Sequence, residues 1–176
     1  MLFNIDPTEA QERASKVKLL LLDVDGVLTD GKLYYSNSGE EMKAFNTLDG
    51  HGIKMLIENG VEVGIITGRS SELLARRAAE LGIKLLYQGQ PNKMDAMRDA
   101  LERSNCTPDQ VAYVGDDFPD LPVMRIAGLG IAVANAHPDL AARAKMTTER
   151  SGGNGAVRET TDYLLSAQGK YSSYLD

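Results

Sequence analysis

Two carboxylates follow a run of leucines near the beginning of the chain. Four successive leucines, beginning at Leu19, predict a strand buried on both faces, because they leave no polar side for water. Asp23 and Asp25 come directly after it, and a spacing of two on a strand directs both side chains to the same side. Gly26 then allows a sharp turn. A divalent cation that prefers oxygen ligands, such as Mg²⁺, would relieve the repulsion between the two acids.

Further polar groups recur downstream, at or soon after the ends of predicted strands. Thr67 lies in I-I-T-G-R, and Lys93 opens a predicted helix just past the third strand. The segment G-D-D-F-P-D then supplies Asp116, Asp117 and Asp120. Taken singly, such residues are common in turns, at helix starts and on surfaces. Their order along the chain makes a shared site the better interpretation.

The ordered set D-x-D-G-x-x-T, Thr67, Lys93 and G-D-D-x-x-D resembles the haloacid dehalogenase superfamily of phosphatases, and the resemblance spans most of the chain. Phosphoryl transfer requires an in-line nucleophile, a proton donor and positive charge around the phosphoryl oxygens. Asp23 is the candidate nucleophile, which would form an aspartyl-phosphate. Asp25 would protonate the leaving alkoxide and then take a proton from the hydrolytic water. The resemblance implies the same assignment.

The remaining candidates would hold the metal and the substrate. We expect Mg²⁺ to bind Asp23, the backbone carbonyl of Asp25 and Asp116. Asp117 and Asp120 would hold metal-bound waters or orient the lysine.

The Thr67 hydroxyl and the neighbouring backbone N–H of Gly68 would donate hydrogen bonds to the phosphoryl oxygens. Lys93 would supply positive charge beside them. Arg69 is a candidate for the far end of the substrate, although a salt bridge with a local acid is an equal alternative. Thr29, the last residue of D-x-D-G-x-x-T, completes the substrate-binding candidates.

Composition sets the class of protein. The chain has 176 residues, of which 43% are hydrophobic and 25% charged, which fits one domain over residues 1–176. The net charge of −6 argues against general nucleic-acid binding. Acids and glycines interrupt every apolar run, and a single cysteine, Cys106, suits a reducing compartment. We therefore expect a cytoplasmic enzyme with no membrane or nucleic-acid partner.

Strands that alternate with helices predict an α/β fold, a Rossmann-like parallel sheet covered by helices on both faces. Helices are predicted near residues 8–15, 48–59, 71–81, 93–104, 120–127, 138–144 and 156–167. Strands are predicted over residues 17–24, 61–66, 83–87, 111–114 and 129–133, with a short edge strand over residues 146–148. Ligands bind such sheets beyond the carboxyl ends of the strands.

Two appendages accompany this sheet. A β-hairpin over about residues 31–46, with its turn at residues 36–39, carries several apolar side chains on a projecting element. The tail over about residues 168–176 contains Tyr171 and Tyr174. The insertions are too short for a cap domain, so the site would be open to water unless a second subunit covered it. The hairpin and tail therefore favour a closed homo-oligomer.

Several strings are similar to one capless family, the homotetrameric phosphatases of 3-deoxy-D-manno-octulosonate 8-phosphate in lipopolysaccharide precursor synthesis. These strings are T-D-G, G-E-E-M-K-A-F, D-G-H-G-I, I-I-T-G-R-S, G-D-D and G-G-N-G-A-V-R-E. The resemblance implies a small anionic sugar phosphate as substrate and a homotetramer with its hairpins at the centre. It also implies that a neighbour's tail covers each site, although the tail is the part that matches least. Arg69, and Lys43 or Arg158 across an interface, are candidates for the substrate carboxylate.

The sequence is compatible with two alternatives. A phosphatase for a nine-carbon sialic-type sugar 9-phosphate shares nearly all of these strings. A receiver-type signalling domain also groups acids, a threonine and a lysine around a phosphorylated aspartate, but it lacks an acid/base residue such as Asp25.

Overall fold

A seven-stranded sheet forms the centre of the molecule. The computed structural model describes residues 1–38 and 41–175, and the side chain of residue 41 lies outside this description. The strands are β1 (Leu2–Phe3), β2 (Leu19–Leu22), β3 (Tyr34–Tyr35), β4 (Glu41–Met42), β5 (Glu62–Ile66), β6 (Leu85–Tyr87), β7 (Val111–Gly115), β8 (Leu129–Ala132) and β9 (Met146–Thr147). The sheet has the order β1-β9-β8-β7-β2-β5-β6, and β3 pairs with β4 separately.

Helices cover both faces of the sheet, as predicted. They are α1 (Pro7–Ser15), α2 (Thr47–Glu58), α3 (Glu72–Leu81), α4 (Lys93–Ser104), α5 (Leu121–Ile126), α6 (Pro138–Ala141) and α7 (Ala156–Ala167). Buried side chains of α1, α2, α3 and α7 form one apolar cluster, and those of α4, α5 and α6 form the other. The prediction of an α/β fold with two covered faces is confirmed.

The leucine run is the central strand. β2 pairs in parallel with β5 on one side and β7 on the other. Leu20 and Leu22 enter one apolar cluster and Leu19 and Leu21 the other, because successive side chains on a strand point to opposite faces. The chain passes from β2 to β5 and β6 and later returns to β7 beside β2. This reversal opens a crevice at the carboxyl end of β2.

The far edge of the sheet differs from the prediction. β9 pairs with β8 on one side and with β1, antiparallel, on the other. The segment predicted as an edge strand is therefore internal, and Leu2–Phe3 forms the edge. A two-residue strand carries too little periodicity to be recognised in the sequence.

The hairpin and tail lie at different ends of the molecule. In the hairpin, Tyr34 pairs with Met42. Residue 39, the last of the predicted turn, and residue 40 lie outside the described ranges. The tail begins beside the amino end of β2, where the Gln168 side chain donates to the Val17 carbonyl (2.8 Å). Within the described residues of the tail, Tyr174 accepts a hydrogen bond from Asn59 (2.7 Å), whereas Asp176 falls outside the description.

Between β2 and β5, the described residues form only the hairpin and α2. Between β5 and α4 they form only α3 and β6, so no cap domain is evident in the part of the chain that is described. None of the helices over residues 1–38 and 41–175 has the length and apolarity needed to cross a membrane.

Candidate active site

Asp23 lies at the carboxyl end of β2 and is held by a buried lysine. Lys93, the first residue of α4, places its Nζ 2.8 Å from Asp23 Oδ1 and 2.7 Å from Asp120 Oδ1. The N-cap Asn92 accepts from the backbone N–H of Met94, so the start of this helix is fixed locally. Burial acts to lower the pKa of Lys93, but the charges of Asp120 and Asp23 outweigh it and raise that pKa. Lys93 is therefore a permanent cation beside the predicted nucleophile.

Asp120 holds the lysine and the loop after β7 together. Its Oδ1 accepts hydrogen bonds from Lys93 and from the Tyr113 hydroxyl (2.6 Å), and its Oδ2 accepts from the backbone N–H groups of Asp116 (2.9 Å) and Asp117 (3.3 Å). A carboxylate with this many donors is held in one orientation. Of the two predicted tasks for Asp120, the geometry supports orientation of Lys93.

Asp116 lies beside Asp23 in an acidic environment. Burial, followed by the charge of Asp23, raises the pKa of Asp116 to about 7. Burial, followed by the charge of Asp120, likewise raises the pKa of Asp23 to about 6. Asp23, Asp116 and Asp120 each offer a carboxylate oxygen, and these oxygens lie within 4.8 Å of one another. An all-oxygen donor set in which the negative charges crowd each other fits Mg²⁺.

Gly26 makes this close approach possible. Its φ of +88° lies in the left-handed region, and a Cβ at this position would overlap the Asp116 carboxylate. The turn after β2 thus needs glycine both for its backbone conformation and for its contact with Asp116, which follows β7.

Asp25, the predicted acid/base, lies between two basic side chains. Its Oδ1 is 2.7 Å from Lys43 Nζ, and its Oδ2 is 3.8 Å from Arg69 Nε. Arg69 also donates from Nη2 to the Tyr35 hydroxyl on β3 (2.8 Å). The equal alternatives for Arg69, a substrate contact or a local salt bridge, are both compatible with this position.

A cavity of about 400 Å³ opens over these groups. With the exception of Thr29, all predicted site residues line it, namely Asp23, Asp25, Thr67, Gly68, Arg69, Lys93, Asp116, Asp117 and Asp120. Thr67 follows β5 directly, and its Oγ1 accepts from the Arg69 backbone N–H (3.3 Å). The exposed Asp117 caps the following turn by accepting from the Phe118 backbone N–H (2.8 Å). The sheet thus brings together groups that are up to 97 positions apart in the sequence.

Thr29 lies elsewhere than predicted. Its side chain is buried, with the residue 3% exposed, and its hydroxyl donates to the Val24 carbonyl (3.3 Å). The same oxygen accepts from the backbone N–H groups of Gly26 and Gly31. The structure therefore does not bring Thr29 into the cavity with the other predicted residues, and its hydrogen bonds hold the loop that carries Asp25.

A glycine-rich loop packs directly on the loop of the two acids. The Gly153 N–H donates to the Val27 carbonyl (3.0 Å), and the Gly152 N–H donates to Asn135 Oδ1 (2.6 Å). Asn135 in turn donates from Nδ2 to the Gly26 carbonyl (3.1 Å). Residues 151–155 and the Asn135 side chain therefore fix the backbone between Asp25 and Thr29.

Sequence reasoning missed several of these residues. Asn135 and Tyr113 lie in segments whose patterns predict only a loop and a buried strand. The sequence predicts Lys43 only as a candidate for the substrate carboxylate across an interface, whereas it pairs with Asp25 of its own chain. Gly31, Gln90, Pro91 and Pro119 also line the cavity. The sequence carries no spacing that would have indicated these contacts.

Comparisons with known proteins identify the family of this chain. Residues 85–159 match the model of the haloacid dehalogenase-like hydrolases. The chain is 54% identical over 163 residues to 3-deoxy-D-manno-octulosonate 8-phosphate phosphatase of Salmonella typhi, covering 93% of this chain and 87% of that one.

Solved structures of phosphatases from the same family also resemble this chain. The corresponding phosphatase of Yersinia pestis superposes with a TM-score of 0.92 at 51% identity, covering 93% of this chain and 89% of that one. The phosphatase of Moraxella catarrhalis, solved with a magnesium ion, a phosphate ion and a KDO molecule, superposes with a TM-score of 0.94 at 40% identity. The match covers 97% of this chain and 98% of that one. The chain therefore belongs to the haloacid dehalogenase-like hydrolases and, within them, to the family of the 3-deoxy-D-manno-octulosonate 8-phosphate phosphatases.

Proposed function

We propose that this protein hydrolyses 3-deoxy-D-manno-octulosonate 8-phosphate to the free sugar acid and phosphate, a step in lipopolysaccharide precursor synthesis. One observation carries the proposal. The nucleophile, acid/base and lysine predicted from the sequence line one cavity, in a chain 54% identical to a phosphatase of this substrate. The single cysteine, Cys106, is consistent with a cytoplasmic location.

In the first half-reaction, an oxygen of Asp23 attacks phosphorus as the bond to the sugar oxygen breaks. Asp25 gives its proton to that oxygen, which therefore leaves as a neutral hydroxyl group of the sugar acid rather than as an alkoxide. Lys93, 2.8 Å from Asp23 Oδ1, supplies positive charge beside the transferring phosphoryl group. The Thr67 hydroxyl and the Gly68 N–H are the proposed donors to the phosphoryl oxygens.

In the second half-reaction, water attacks phosphorus of the aspartyl-phosphate. Asp25, now ionised, takes a proton from that water, and the bond between phosphorus and Asp23 breaks. Asp25 is thereby protonated again for the next cycle. This return of the proton separates a phosphatase from a receiver domain, which keeps its phosphate.

The proposed ligands of Mg²⁺ are the carboxylates of Asp23 and Asp116 with the backbone carbonyl of Asp25. When bound there, Mg²⁺ supplies positive charge that reduces the repulsion between an anionic nucleophile and an anionic phosphate. Asp120 is occupied by Lys93, Tyr113 and two backbone N–H groups, which supports an orienting role for it.

We also propose that the protein assembles as a homotetramer through its hairpin. Several apolar side chains of this small element are exposed to solvent: Leu33, Tyr34, Tyr35 and Met42. Exposed apolar side chains grouped on a projecting element mark an interaction surface. Coverage of the open cavity by a neighbouring subunit would also exclude water from the reaction.

A phosphate-release assay tests the activity. The protein is incubated with eight-carbon and nine-carbon acidic sugar phosphates, with Mg²⁺ or with excess chelator. We expect fastest release from 3-deoxy-D-manno-octulosonate 8-phosphate and none after chelation. Faster release from the nine-carbon 9-phosphate would support the alternative substrate.

Two variants sharpen this assay. Asp23→Asn should lower turnover by at least about 10³-fold, since it removes the nucleophile. Asp95→Asn, a matched change at an exposed residue of α4, should retain turnover. Phosphate release that persists in the Asp23 variant would rule out the aspartyl-phosphate pathway.

A further inference from the structure

Each of the two reacting carboxylates has a lysine of its own. Asp23 is paired with Lys93 of α4, and Asp25 is paired with Lys43, which follows β4 in the hairpin. The second pair joins the acid/base to an element outside the central sheet. Lys43 belongs to the string G-E-E-M-K-A-F, but that string gives no indication that Lys43 contacts Asp25.

The side chain of Lys43 is almost completely buried, although the residue as a whole is of intermediate exposure. Its side chain is 5% exposed, and its Nζ lies 2.7 Å from Asp25 Oδ1. Removing an ammonium group from water is costly unless an opposite charge and hydrogen bonds compensate for it. Burial therefore makes the contact with Asp25 a constrained one, in contrast to a mobile surface ion pair.

The hairpin is attached to the site at a second point. The Tyr35 hydroxyl on β3 accepts from Arg69 Nη2 (2.8 Å), while Arg69 Nε lies 3.8 Å from Asp25 Oδ2. Both oxygens of Asp25 thus face cations, one supplied by the hairpin and one oriented by it. The two contacts differ in length, because only that of Lys43 is within hydrogen-bond distance.

We propose that Lys43 is a positioning residue for the acid/base Asp25. It holds Oδ1 in a charge-assisted hydrogen bond, so that Oδ2 is the oxygen that exchanges the proton. This inference rests on the proposed function. The position of the hairpin then determines whether Asp25 is oriented for proton transfer.

The proton balance defines what Lys43 affects. When the ester bond breaks, the proton on Asp25 Oδ2 passes to the leaving oxygen, and phosphorus becomes bonded to Asp23. When water attacks, its proton passes to Oδ2 and the bond from Asp23 to phosphorus breaks. Lys43 exchanges no proton in either step, and it acts only through the orientation of Asp25.

Leaving-group dependence distinguishes this role from general structural support. A poor leaving group such as phenolate needs the proton from Asp25, whereas p-nitrophenolate leaves readily without one. In Lys43→Met with Mg²⁺ present, we expect single-turnover release of phenol from phenyl phosphate to fall by about tenfold or more. Release of p-nitrophenolate from p-nitrophenyl phosphate in the same experiment should fall by less than about threefold.

Three further variants complete the test. Lys32→Met removes an exposed lysine of the same hairpin and should leave both rates unchanged. Lys43→Gln keeps a hydrogen-bond donor on the side chain. Its release of phenol should again fall more than its release of p-nitrophenolate, but by less than in Lys43→Met. If Lys43→Met does not fold, the comparison of the two esters in Lys43→Gln tests the role of Lys43. In an Asp25→Asn background, Lys43→Met should cause no further loss of phenol release, because the two residues act as one unit.

The outcomes separate the two proposals. Equal losses for both esters, or a further loss in the Asp25→Asn background, would overturn the role of Lys43 and leave the phosphatase activity standing. A wild-type protein that releases neither leaving group would contradict the proposed function itself, and the inference about Lys43 with it.

Discussion

At the scale of single residues, the site is defined by crowded negative charge. Asp23 is buried at a strand end beside Asp116 and Asp120, and Lys93 is the cation held between two of these acids. The pKa values of Asp23 (about 6) and Asp116 (about 7) are raised first by burial and then by neighbouring negative charge, that of Asp120 for Asp23 and that of Asp23 for Asp116. Ionising these groups without a further cation therefore costs free energy. This cost is what a bound divalent ion would remove.

The same shifts predict how Mg²⁺ binding depends on pH. Each carboxyl has a folded-state pKa above its ordinary value of 3.8, so the folded protein retains protons that the unfolded chain has lost. Without metal, these two groups therefore reduce the free energy of unfolding as the pH rises from about 4 to about 7. Because the ligands must be ionised to bind metal, Mg²⁺ should raise the melting temperature more at pH 8 than at pH 5.

Thermal melts with and without Mg²⁺ at the two pH values measure this difference. Asp116→Asn should remove most of the Mg²⁺-dependent rise, whereas the exposed Asp95→Asn should preserve it. An equal rise at both pH values would be inconsistent with Asp23 and Asp116 as ligands.

The types and spacing of the residues in the sequence were sufficient to predict that most site residues lie close together. Asp23, Thr67 and Asp116 follow parallel strands directly, and the carboxyl ends of parallel strands meet by construction. Thr29 is the exception, because its hydroxyl accepts hydrogen bonds from N–H groups of its own loop, a local contact that no spacing reveals. The pairing of Lys43 with Asp25 depends on how the hairpin folds back over the sheet, which is a property of tertiary structure.

At the scale of elements, a loop at the start of α7 supports the loop of the acids. The backbone of Gly152 lies so close to the Gly26 carbonyl and Val27 that a Cβ would overlap the backbone. α7 itself is held in place because Asp49 of α2 accepts from the backbone N–H of Arg158 (2.7 Å). The position of Asp25 thus depends on elements more than 100 residues later in the chain.

Gly152→Ala should therefore displace the loop that carries Asp25. We expect kcat to fall by about tenfold or more, and the free energy of unfolding to fall by about 1–3 kcal/mol, the usual cost of overpacking. Activity per folded molecule and thermal melts measure the two effects. Gly128→Ala is the matched control, since its Cβ would also overlap a backbone, that of Asp109, away from the site.

The control should lose stability while kcat is retained. If Gly152→Ala keeps full kcat, the contact between the two loops does not position Asp25. Loss of kcat in both variants would point to a general effect of backbone overlap.

Element boundaries were predictable where local residues define them. α4 and α7 begin and end as predicted. Asn92 caps the start of α4, and Asn105, in the left-handed conformation, ends it. Gly155 directly precedes α7. α5 and α6 are shorter than predicted, at six and four residues, and β1 was missed. These short elements are determined by packing against the sheet rather than by their own periodicity.

At the scale of the whole molecule, the sheet places the site at one end and the tail at the other. Within the described residues, the tail contacts Asn59 and Val17 near the amino ends of β5 and β2. The cavity lies at the carboxyl ends of the same strands, so the described part of a subunit's tail, residues 168–175, lies at the opposite end of these strands from its own cavity. Coverage of the cavity through assembly would thus need a tail from a different subunit, and the hairpin is the element that could hold the subunits together.

Met42→Lys tests this assembly. Met42 is 70% exposed on β4, opposite Tyr34, and burial of such a side chain stabilises an interface by about 1.5–3 kcal/mol per copy. We expect the wild type to have about four times the chain mass of 19.1 kDa by light scattering after size exclusion, and the variant to dissociate into smaller species. Ile126→Lys makes the same change at an exposed apolar residue of α5 and should leave the mass unchanged. A monomeric wild type, or a variant that keeps the full mass, would show that the hairpin does not hold the subunits together.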